Sequence, residues 1–214
     1  MEVDNLQFQD ELFDSGPEII ELTEGRLILY RSFFKAHDSQ RLFNALSQKT
    51  AWESGTIFIG GKNIPIPRLN AWYADDNRTF TYSGIRLEPH LWYEELNEIR
   101  AHIFNILTLN FNSCLLNLYR DGNDSVAWHC DDEPELGRNP VIASISFGTP
   151  RKFTMRSLTN HTEKYTFTLP NGSLLIMEGE VQHRYEHQVP KEKNVSTPRV
   201  NLTFRNVLNS FQVE

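Results

Sequence analysis

The chain has 214 residues, 39% of them hydrophobic, including 14 Phe, 7 Tyr and 4 Trp. This length suits one domain with a sizeable core. No apolar run is long enough to span a membrane, and the N-terminus "MEVDNLQFQDEL" lacks the basic start and apolar block of a secretory signal. The two cysteines, Cys114 and Cys130, fit a reducing cytosolic or nuclear compartment, although the sequence leaves one disulfide open.

The negative charge is concentrated at one end of the chain. The formal net charge is −7, but residues 1–24 carry eight acids and no Lys or Arg, so residues 25–214 sum to +1. We therefore predict a flexible acidic arm, residues 1–24, before a single domain, residues 25–214. A near-neutral body weakens the argument that a negative chain avoids nucleic acid.

Helices precede the strand-rich half of the chain. After a first strand, "RLILYRSF", the apolar spacing of residues 37–48 predicts a helix, with Asp38 or Ser39 as its N-cap. Residues 89–107 form the longest predicted helix, because leucines and isoleucines recur there at spacings of three and four.

Two hairpins are predicted between these helices. In "TIFIGGKNI", residues 56–64, two glycines at 60–61 can adopt the positive φ angles of a tight turn. The second hairpin joins "RLNAWYA" to "RTFTYSG" through residues 75–77, and places Phe80 and Tyr82 on one face. A simpler alternative is a pair of edge hairpins whose aromatic residues pack on the core.

Short strands follow one another after residue 112. They are "CLLNLYR", "VIASISF", "KFTMRS", "KYTFTLP", "GSLLIME" and "PRVNLTFRNV". This spacing is typical of a sandwich or barrel. With the earlier helices, it predicts an α+β domain in which helices buttress a β core.

The segment "AWHCDDEPEL" is either a solvated acidic loop or part of a metal site. In extended backbone, His129 and Asp131 point to the same side while Cys130 points away. A third ligand must come from another strand, and His187 in "RYEHQVP" is a candidate. Two histidines and a carboxylate suit non-haem Fe(II), and the same trio can hold Zn²⁺.

The pattern of the last strand discriminates between an Fe(II) site and a Zn²⁺ site. In "PRVNLTFR", Arg199, Asn201, Thr203 and Arg205 share one face of the strand. That face is either solvated or turned into a barrel, where two guanidiniums can bind the carboxylates of a small diacid. Asn117 and Tyr119 form a matching polar pair in "CLLNLYR". A zinc hydrolase has no need for such a strand, so the pattern favours Fe(II) with 2-oxoglutarate.

Six segments together carry a family resemblance: "PRLNAWYADDNRTFTYSG", "LLNLYRDGNDSVAWHCDDEPELG", "ASISFGTPRKF", "GSLLIMEG", "QHRYEHQVPK" and "TPRVNLTFRNV". Over about residues 27–207 the chain resembles the AlkB Fe(II)/2-oxoglutarate nucleic-acid dealkylases, and most of all the branch acting on double-stranded DNA. The resemblance implies a double-stranded β-helix (jelly-roll) core, buttressing N-terminal helices, and a nucleotide-recognition lid at residues 56–84.

The resemblance also assigns roles to individual residues. The implied catalytic group comprises the Fe(II) ligands His129, Asp131 and His187, together with Arg205. The implied 2-oxoglutarate site comprises Asn117, Tyr119, Arg199, Asn201, Thr203 and Arg205. The implied substrate site comprises Arg68, Phe80, Tyr82, Ser83, Asp132 and Glu133, with His129 and Tyr82 on either side of a flipped base.

The activity implied is repair of DNA by oxidative demethylation of N1-methyladenine and N3-methylcytosine. O₂ and 2-oxoglutarate are consumed, and formaldehyde and succinate are released. Asp132 and Glu133 would favour these cationic bases, and phosphates would contact basic residues, namely Arg151, Lys152, Lys191 and Lys193. The expected partner is alkylated DNA, with RNA as an alternative. We expect a monomer that binds no membrane and lies in the cytoplasm or the nucleus.

One position departs from the family pattern. Duplex-acting relatives carry a bulky aromatic residue at the tip of the first hairpin, where this chain has Gly60. Phe58 or Ile59 can serve as the wedge instead. The same chemistry on single-stranded DNA or RNA therefore stays open. A nucleic-acid-binding module without activity and a dioxygenase with a protein substrate are further alternatives.

Overall fold

The computed structural model of the chain describes residues 16–59, 61–75, 80–82 and 85–208. Most of these residues belong to β-strands. The strands are β1 Glu18–Leu22, β2 Gly25–Tyr30, β3 Glu53–Ile59, β4 Lys62–Ala74, β5 Phe80–Tyr82, β6 Ile85–Leu87, β7 Ser113–Tyr119, β8 Val126–His129, β9 Ile142–Gly148, β10 Arg151–Ser157, β11 Lys164–Leu169, β12 Ser173–Gly179, β13 Tyr185–Val189 and β14 Arg199–Arg205. The helices are α1 Ala36–Lys49, α2 Glu94–Leu107 and the short α3 Val181–Arg184.

The strands form two main antiparallel sheets. The larger has the order β1-β2-β12-β9-β14-β7-β4-β3, and the smaller has the order β11-β10-β13-β8. Strands adjacent in space are mostly distant in sequence, as in a jelly roll, where connections pass from one sheet to the other. The predicted α+β jelly-roll core with buttressing helices is confirmed.

Two hydrophobic clusters lie on opposite faces of the larger sheet. The inner cluster faces the smaller sheet and includes Leu115, Met155 and Leu175. The outer cluster lies under the helices and includes Leu42, Ile99, Ile145 and Leu202 among its members. Central strands of the larger sheet are therefore buried on both faces, and the space between the sheets is available for a site.

Both long helices are amphipathic, as predicted. In α1, Leu42 and Leu46 are fully buried one turn apart. The predicted cap of this helix is wrong. The N-cap is Lys35, without a side-chain hydrogen bond, and the hydroxyl of Ser39 donates to the Lys35 carbonyl at 2.9 Å from inside the first turn. Asp38 lies in that turn as well.

The first predicted hairpin is present, whereas the second falls partly on residues 76–79 and 83–84, which lie outside the described part of the chain. β3 and β4 pair in antiparallel register, with Gly61 at φ +80° in the connection. β4 continues to Ala74 and pairs with β7, while β5 pairs with β6 rather than with β4. In the described residues, β4 is thus a strand of the larger sheet and β5 belongs to a separate two-stranded sheet.

Part of the predicted flexible acidic arm, residues 1–24, is a β-strand. Residues 18–22 form β1 on the edge of the larger sheet, where Ile20 and Leu22 pack against the inner cluster. Residues 1–15 lie outside the described part of the chain. In the part that the structure describes, no helix has the length and apolar character needed to cross a membrane.

Candidate active site

Three candidate metal ligands meet between the two sheets. β8 and β13 are neighbours, and His129 lies directly opposite His187 in their register. Asp131 follows the end of β8, and one ligand atom from each of these three residues lies within 4.8 Å of the others. The HxD spacing and the distant histidine therefore come together as the sequence predicts.

Hydrogen bonds orient two of these ligands. Nδ1 of His129 donates to the Ala127 carbonyl at 2.9 Å, which leaves Nε2 directed toward Asp131. The backbone N–H of Asp131 donates to Oε1 of Gln182 at 2.9 Å. Gln182 lies in α3 and is buried, so it fixes the loop that carries the carboxylate.

The electrostatics favour the protonation states that bind a metal. Burial alone would raise the pKa of Asp131. Arg205, His187 and His129 together lower it by more, so the pKa lies below its ordinary value. Nη2 of Arg205 donates to Asp131 Oδ1 at 2.7 Å, and both side chains are 2% exposed. Burial, followed by repulsion from His129, lowers the pKa of His187 to about 3. Neutral imidazole and ionised carboxylate are the ligating forms.

The polar face of β14 forms the opposite wall of the same cavity. Arg199 pairs with Tyr119 and Asn201 with Asn117 in the register between β14 and β7. All four residues are buried, as is the alternate, apolar face of β14. The alternative of a solvated polar face is therefore wrong.

Arg199 is a buried cation with donors to spare. Nη2 donates to Ser146 Oγ at 2.9 Å, but among the described residues Nε and Nη1 have no hydrogen-bond acceptor. Its guanidinium carbon lies 5.2 Å from the centre of the Tyr119 ring. Burial lowers the pKa of Arg199. Such a group is expected to bind an anion, because a buried cation without a counter-charge is costly.

The predicted 2-oxoglutarate residues and metal ligands line one cavity. Its walls are Arg68, Leu115, Asn117, Tyr119, Val126, His129, Asp131, Ser144, Phe153, Met177, His187, Val189, Arg199, Asn201, Thr203 and Arg205. Over residues 26–205 the sequence matches the 2OG-Fe(II) oxygenase superfamily.

The chain belongs to that superfamily.

Its relatives place it in the AlkB family of 2OG-Fe(II) oxygenases. It is 41% identical over 191 residues to human "Alpha-ketoglutarate-dependent dioxygenase alkB homolog 3", covering 85% of this chain and 66% of that protein. It is 35% identical over 195 residues to human "DNA oxidative demethylase ALKBH2", covering 86% of this chain and 75% of that protein. The chain thus spans slightly less than two thirds of the alkB homolog 3 length.

Solved structures support the fold at lower identity. The structure of OsALKBH1 aligns with a TM-score of 0.63 at 16% identity, covering 88% of this chain and 100% of that one. A 2OG-Fe(II) oxygenase family oxidoreductase from Burkholderia pseudomallei aligns with a TM-score of 0.56 at 14% identity, covering 86% of this chain and 87% of that one.

The residues fit the cofactors that the superfamily implies, which are Fe(II), 2-oxoglutarate and O₂. Two imidazoles and one carboxylate are the donor set of a non-haem Fe(II) site with open positions. Nε and Nη1 of Arg199, which have no acceptor among the described residues, are donors available to the carboxylate oxygens of 2-oxoglutarate.

Polar neighbours of this oxygenase site were missed at the sequence level. Ser144 Oγ accepts from Nδ2 of Asn201 at 2.8 Å, and Ser146 Oγ accepts from Arg199. A signal was present, since the two serines alternate with apolar residues in "VIASISF". Gln182 carried no such signal, because its role depends on the packing of α3 against residue 131.

The substrate residues are only partly assembled in the described chain. Arg68 lines the cavity, and its Nε donates to Asn117 Oδ1 at 2.8 Å. Ser83 lies outside the described residues, and so do the side chains of Phe58, Ile59, Phe80 and Tyr82. These assignments stay predictions.

The two acids after Asp131 differ in environment. Asp132 is exposed, whereas Glu133 is half-buried. Burial, followed by repulsion from Asp131, raises the pKa of Glu133 to about 7. Neither acid is among the residues that line the cavity, so their contact with substrate stays a prediction.

One predicted phosphate contact is wrong. Arg151 is 1% exposed and hydrogen-bonds to the Glu192 carboxylate and to the carbonyls of Asp121, Asp124 and Pro190. A guanidinium committed to these acceptors cannot reach a phosphate. Lys152, Lys191 and Lys193 are exposed and stay candidates.

Proposed function

We propose that the protein is an Fe(II)- and 2-oxoglutarate-dependent dioxygenase that oxidatively dealkylates nucleic acid. The observation that carries this proposal is the cavity itself, where the His129, Asp131 and His187 donors and the buried donors of Arg199 lie on facing walls. Hydrolysis at a metal would not require the second group. A binding module without activity would require neither.

The protein's own residues hold and orient the reactants. His129, Asp131 and His187 would hold Fe(II), which supplies the oxidising chemistry: O₂ and 2-oxoglutarate yield succinate and CO₂, and a methyl C–H becomes C–OH. The hydroxymethyl group on nitrogen then leaves as formaldehyde and restores the N–H or the ring nitrogen. Arg199 anchors a carboxylate of 2-oxoglutarate, and Arg205 holds the Asp131 carboxylate in place.

The substrate we favour is DNA carrying N1-methyladenine or N3-methylcytosine. ALKBH2, one of the relatives, is by name a DNA oxidative demethylase. A methyl group on the pairing edge weakens the base pair, so extruding the base from the stack costs less. Both bases are cations, and Asp132 and Glu133 follow directly after the metal ligand.

Single-stranded DNA or RNA is the second candidate substrate. The reason is the sequence at Gly60, which stands where the resemblance would place the bulky aromatic residue of duplex-acting relatives. Without a wedge, a duplex loses more stacking when a base is extruded, whereas a single strand has no gap to fill. The name of human alkB homolog 3 states its cosubstrate, alpha-ketoglutarate, but does not state whether it acts on DNA or RNA.

The decisive experiment measures products from iron-loaded protein. N1-methyladenine oligonucleotides are supplied single-stranded and annealed, as DNA and as RNA, and formaldehyde and succinate are quantified. We expect equimolar succinate and formaldehyde with methylated strands, and only slow succinate release with unmethylated ones. Succinate without formaldehyde on every methylated nucleic acid would reject a nucleic-acid substrate while leaving the dioxygenase class intact.

The proposal also covers the compartment and the oligomeric state in which the protein acts. Cys114 and Cys130 are both free thiols in the structure, which suits the reducing cytoplasm or nucleus. We propose that the protein acts as a monomer, since the cavity is built from elements of one chain.

A further inference from the structure

A second cavity lies beside the metal site, along the outer edge of β8. Its volume is about 390 Å³. One wall is the base of the lid at Ile66 and Pro67, a second is β8 from Val126 to His129, and a third is the segment after β13, from Gln188 to Lys191. β8 is the edge strand of the smaller sheet, so no further strand of that sheet covers this side.

This cavity is continuous with the metal site. Arg68, Val126, His129 and Val189 line both spaces. A nucleic-acid strand that delivers a base to the metal must carry its adjacent nucleotides along the surface next to it. The second cavity is therefore within reach of the nucleotide that neighbours the target.

Trp128 is among the residues that line this cavity, and its ring is held in place. The guanidinium carbon of Arg156 lies over the Trp128 ring, 4.1 Å from its centre. Nε of Arg156 donates to the Glu186 carboxylate at 2.6 Å, which fixes the guanidinium in turn. A ring already ordered in this way loses little conformational entropy when it binds a ligand. Nζ of Lys164 lies 5.9 Å from the centre of the same ring, and neither Arg156 nor Lys164 is among the residues that line the cavity.

The charge of the cavity suits a phosphate-bearing ligand. The whole chain has a net charge of −7, yet none of the described residues that line this cavity is acidic. Its ionisable residues are Arg68, His129 and the exposed Lys191. An aromatic surface with adjacent cations is the combination by which proteins bind single-stranded nucleic acid.

We propose that this cavity binds the nucleotide adjacent to the target base on the same strand, with its base stacked on Trp128 and its phosphate near Lys191. The inference rests on the proposed function, and adds to it a second nucleotide subsite. A base that stacks on Trp128 has left its own helical stack. The subsite therefore favours a single-stranded substrate over a paired one.

The test combines a protein variant with a chemically altered substrate. An abasic residue replaces the nucleotide on the 5′ side, or on the 3′ side, of N1-methyladenine in a single-stranded DNA oligonucleotide. With the natural protein, one of the two abasic substrates should lose about 5- to 150-fold in kcat/KM, the range expected for one stacked base. Trp128→Leu should lose as much on the intact strand and nothing further on that abasic strand.

Two further variants separate stacking from packing. Trp128→Phe retains an aromatic face and should restore most of the lost activity. Phe104→Ala removes a ring that is 48% exposed on α2, outside both cavities, and should change nothing. If Trp128→Leu loses equally on intact and abasic strands, Trp128 only packs against Arg156 and the subsite does not exist.

Equilibrium binding keeps the test independent of turnover. The same labelled strands are titrated with iron-free protein, and affinity is read by fluorescence anisotropy. The abasic and Trp128→Leu effects should again coincide rather than add. This pattern without any turnover would reject the proposed reaction and support the subsite. Turnover without this pattern would reject the subsite and support the reaction.

Discussion

Buried charge determines what single residues do in this protein. Arg151, Arg199, Arg205 and Asp131 are each about 1–2% exposed, and each has a different set of neighbours. Arg205 and Asp131 neutralise one another, and Arg151 is satisfied by backbone and Glu192. Arg199 retains two donors without an acceptor in the described chain. Residues of similar burial therefore respond differently to substitution.

Asp131→Ala should abolish Fe(II) binding and turnover, because two imidazoles alone hold Fe(II) weakly. The sequence predicts that this variant remains folded, because its site would lie in an open pocket. The structure adds an expected loss of about 3–5 kcal/mol in stability, since the substitution removes the carboxylate opposite a buried guanidinium. Urea unfolding of the iron-free protein measures this loss, with the exposed Asp132→Ala as the matched control. Equal midpoints for the two variants would contradict the buried pair.

Arg199→Leu should raise the KM for 2-oxoglutarate by one to three decades, since losing a charged partner costs roughly 2–5 kcal/mol. The thermal stability of the cofactor-free protein should not fall, because an apolar side chain replaces a buried cation that has unsatisfied donors. Arg199→Lys should recover only part of the affinity, as an ammonium cannot form the bidentate contact. An unchanged KM for Arg199→Leu would remove this residue from the cosubstrate site.

At the scale of elements, loops and hairpins frame the cavity. Arg151 joins the loop after β7 to the segment after β13 through the Asp121 and Pro190 carbonyls. The loop and the segment also pair directly, as Gly122 N–H donates to the Val195 carbonyl at 2.8 Å. The β3–β4 hairpin forms the edge of the larger sheet, and Ser125 N–H donates to the Pro67 carbonyl of β4 at 2.9 Å.

Arg151→Ala should destabilise the protein by about 3–5 kcal/mol, because the buried pair with Glu192 is broken and carbonyls lose their donor. Thermal melting of Arg151→Ala and the exposed Lys152→Ala provides the comparison. The salt dependence of DNA binding distinguishes the two further. Substitution of a residue that contacts phosphate reduces the magnitude of the slope of log affinity against log salt by about one. Arg151→Ala should leave this slope unchanged.

The double variant Phe58→Ala, Ile59→Ala tests the hairpin tip. These residues end β3, facing Asn63 and Lys62 in the register with β4. If one of them fills the gap left by an extruded base, activity on duplex lesions should fall by one to two decades, since unstacking costs a few kcal/mol. Activity on the same strand without its complement should change little. Equal losses on both would make these side chains packing residues.

At the scale of the whole molecule, the larger sheet joins the two hydrophobic clusters. Leu115 belongs to the inner cluster and Leu116 to the outer one, so adjacent residues of one strand anchor both. Because the two clusters share the strands of this sheet, we expect the loss of packing in one cluster to disrupt the other. The single domain over residues 25–214, which the sequence suggests through its length and charge distribution, stays a prediction.

We expect a single cooperative unfolding transition. Tryptophan fluorescence reports on both clusters, because Trp72 is in the inner one and Trp92 packs against the outer one. Far-ultraviolet circular dichroism reports on the sheets. The melting curves from the two methods should coincide. Two separated transitions would divide the chain into independently folding parts.

The sequence by itself determined the strand-rich second half, α1 and α2, and it predicted the three candidate metal ligands. Helical spacing placed Leu42 and Leu46 under α1, and alternation placed Arg199 and Asn201 on one face of β14. The order of six segments predicted the family. The helical and strand patterns are local properties, because period and spacing depend on backbone geometry, which neighbouring residues set.

Only the tertiary structure decided which groups the long side chains reach. It paired Arg205 with Asp131, committed Arg151 to internal acceptors, set Gln182 beneath residue 131 and formed the cavity beside Trp128. Each of these contacts joins residues at least 27 positions apart, or elements of both sheets. Alternation shows which residues share a face, but the packing of the sheets determines what that face meets.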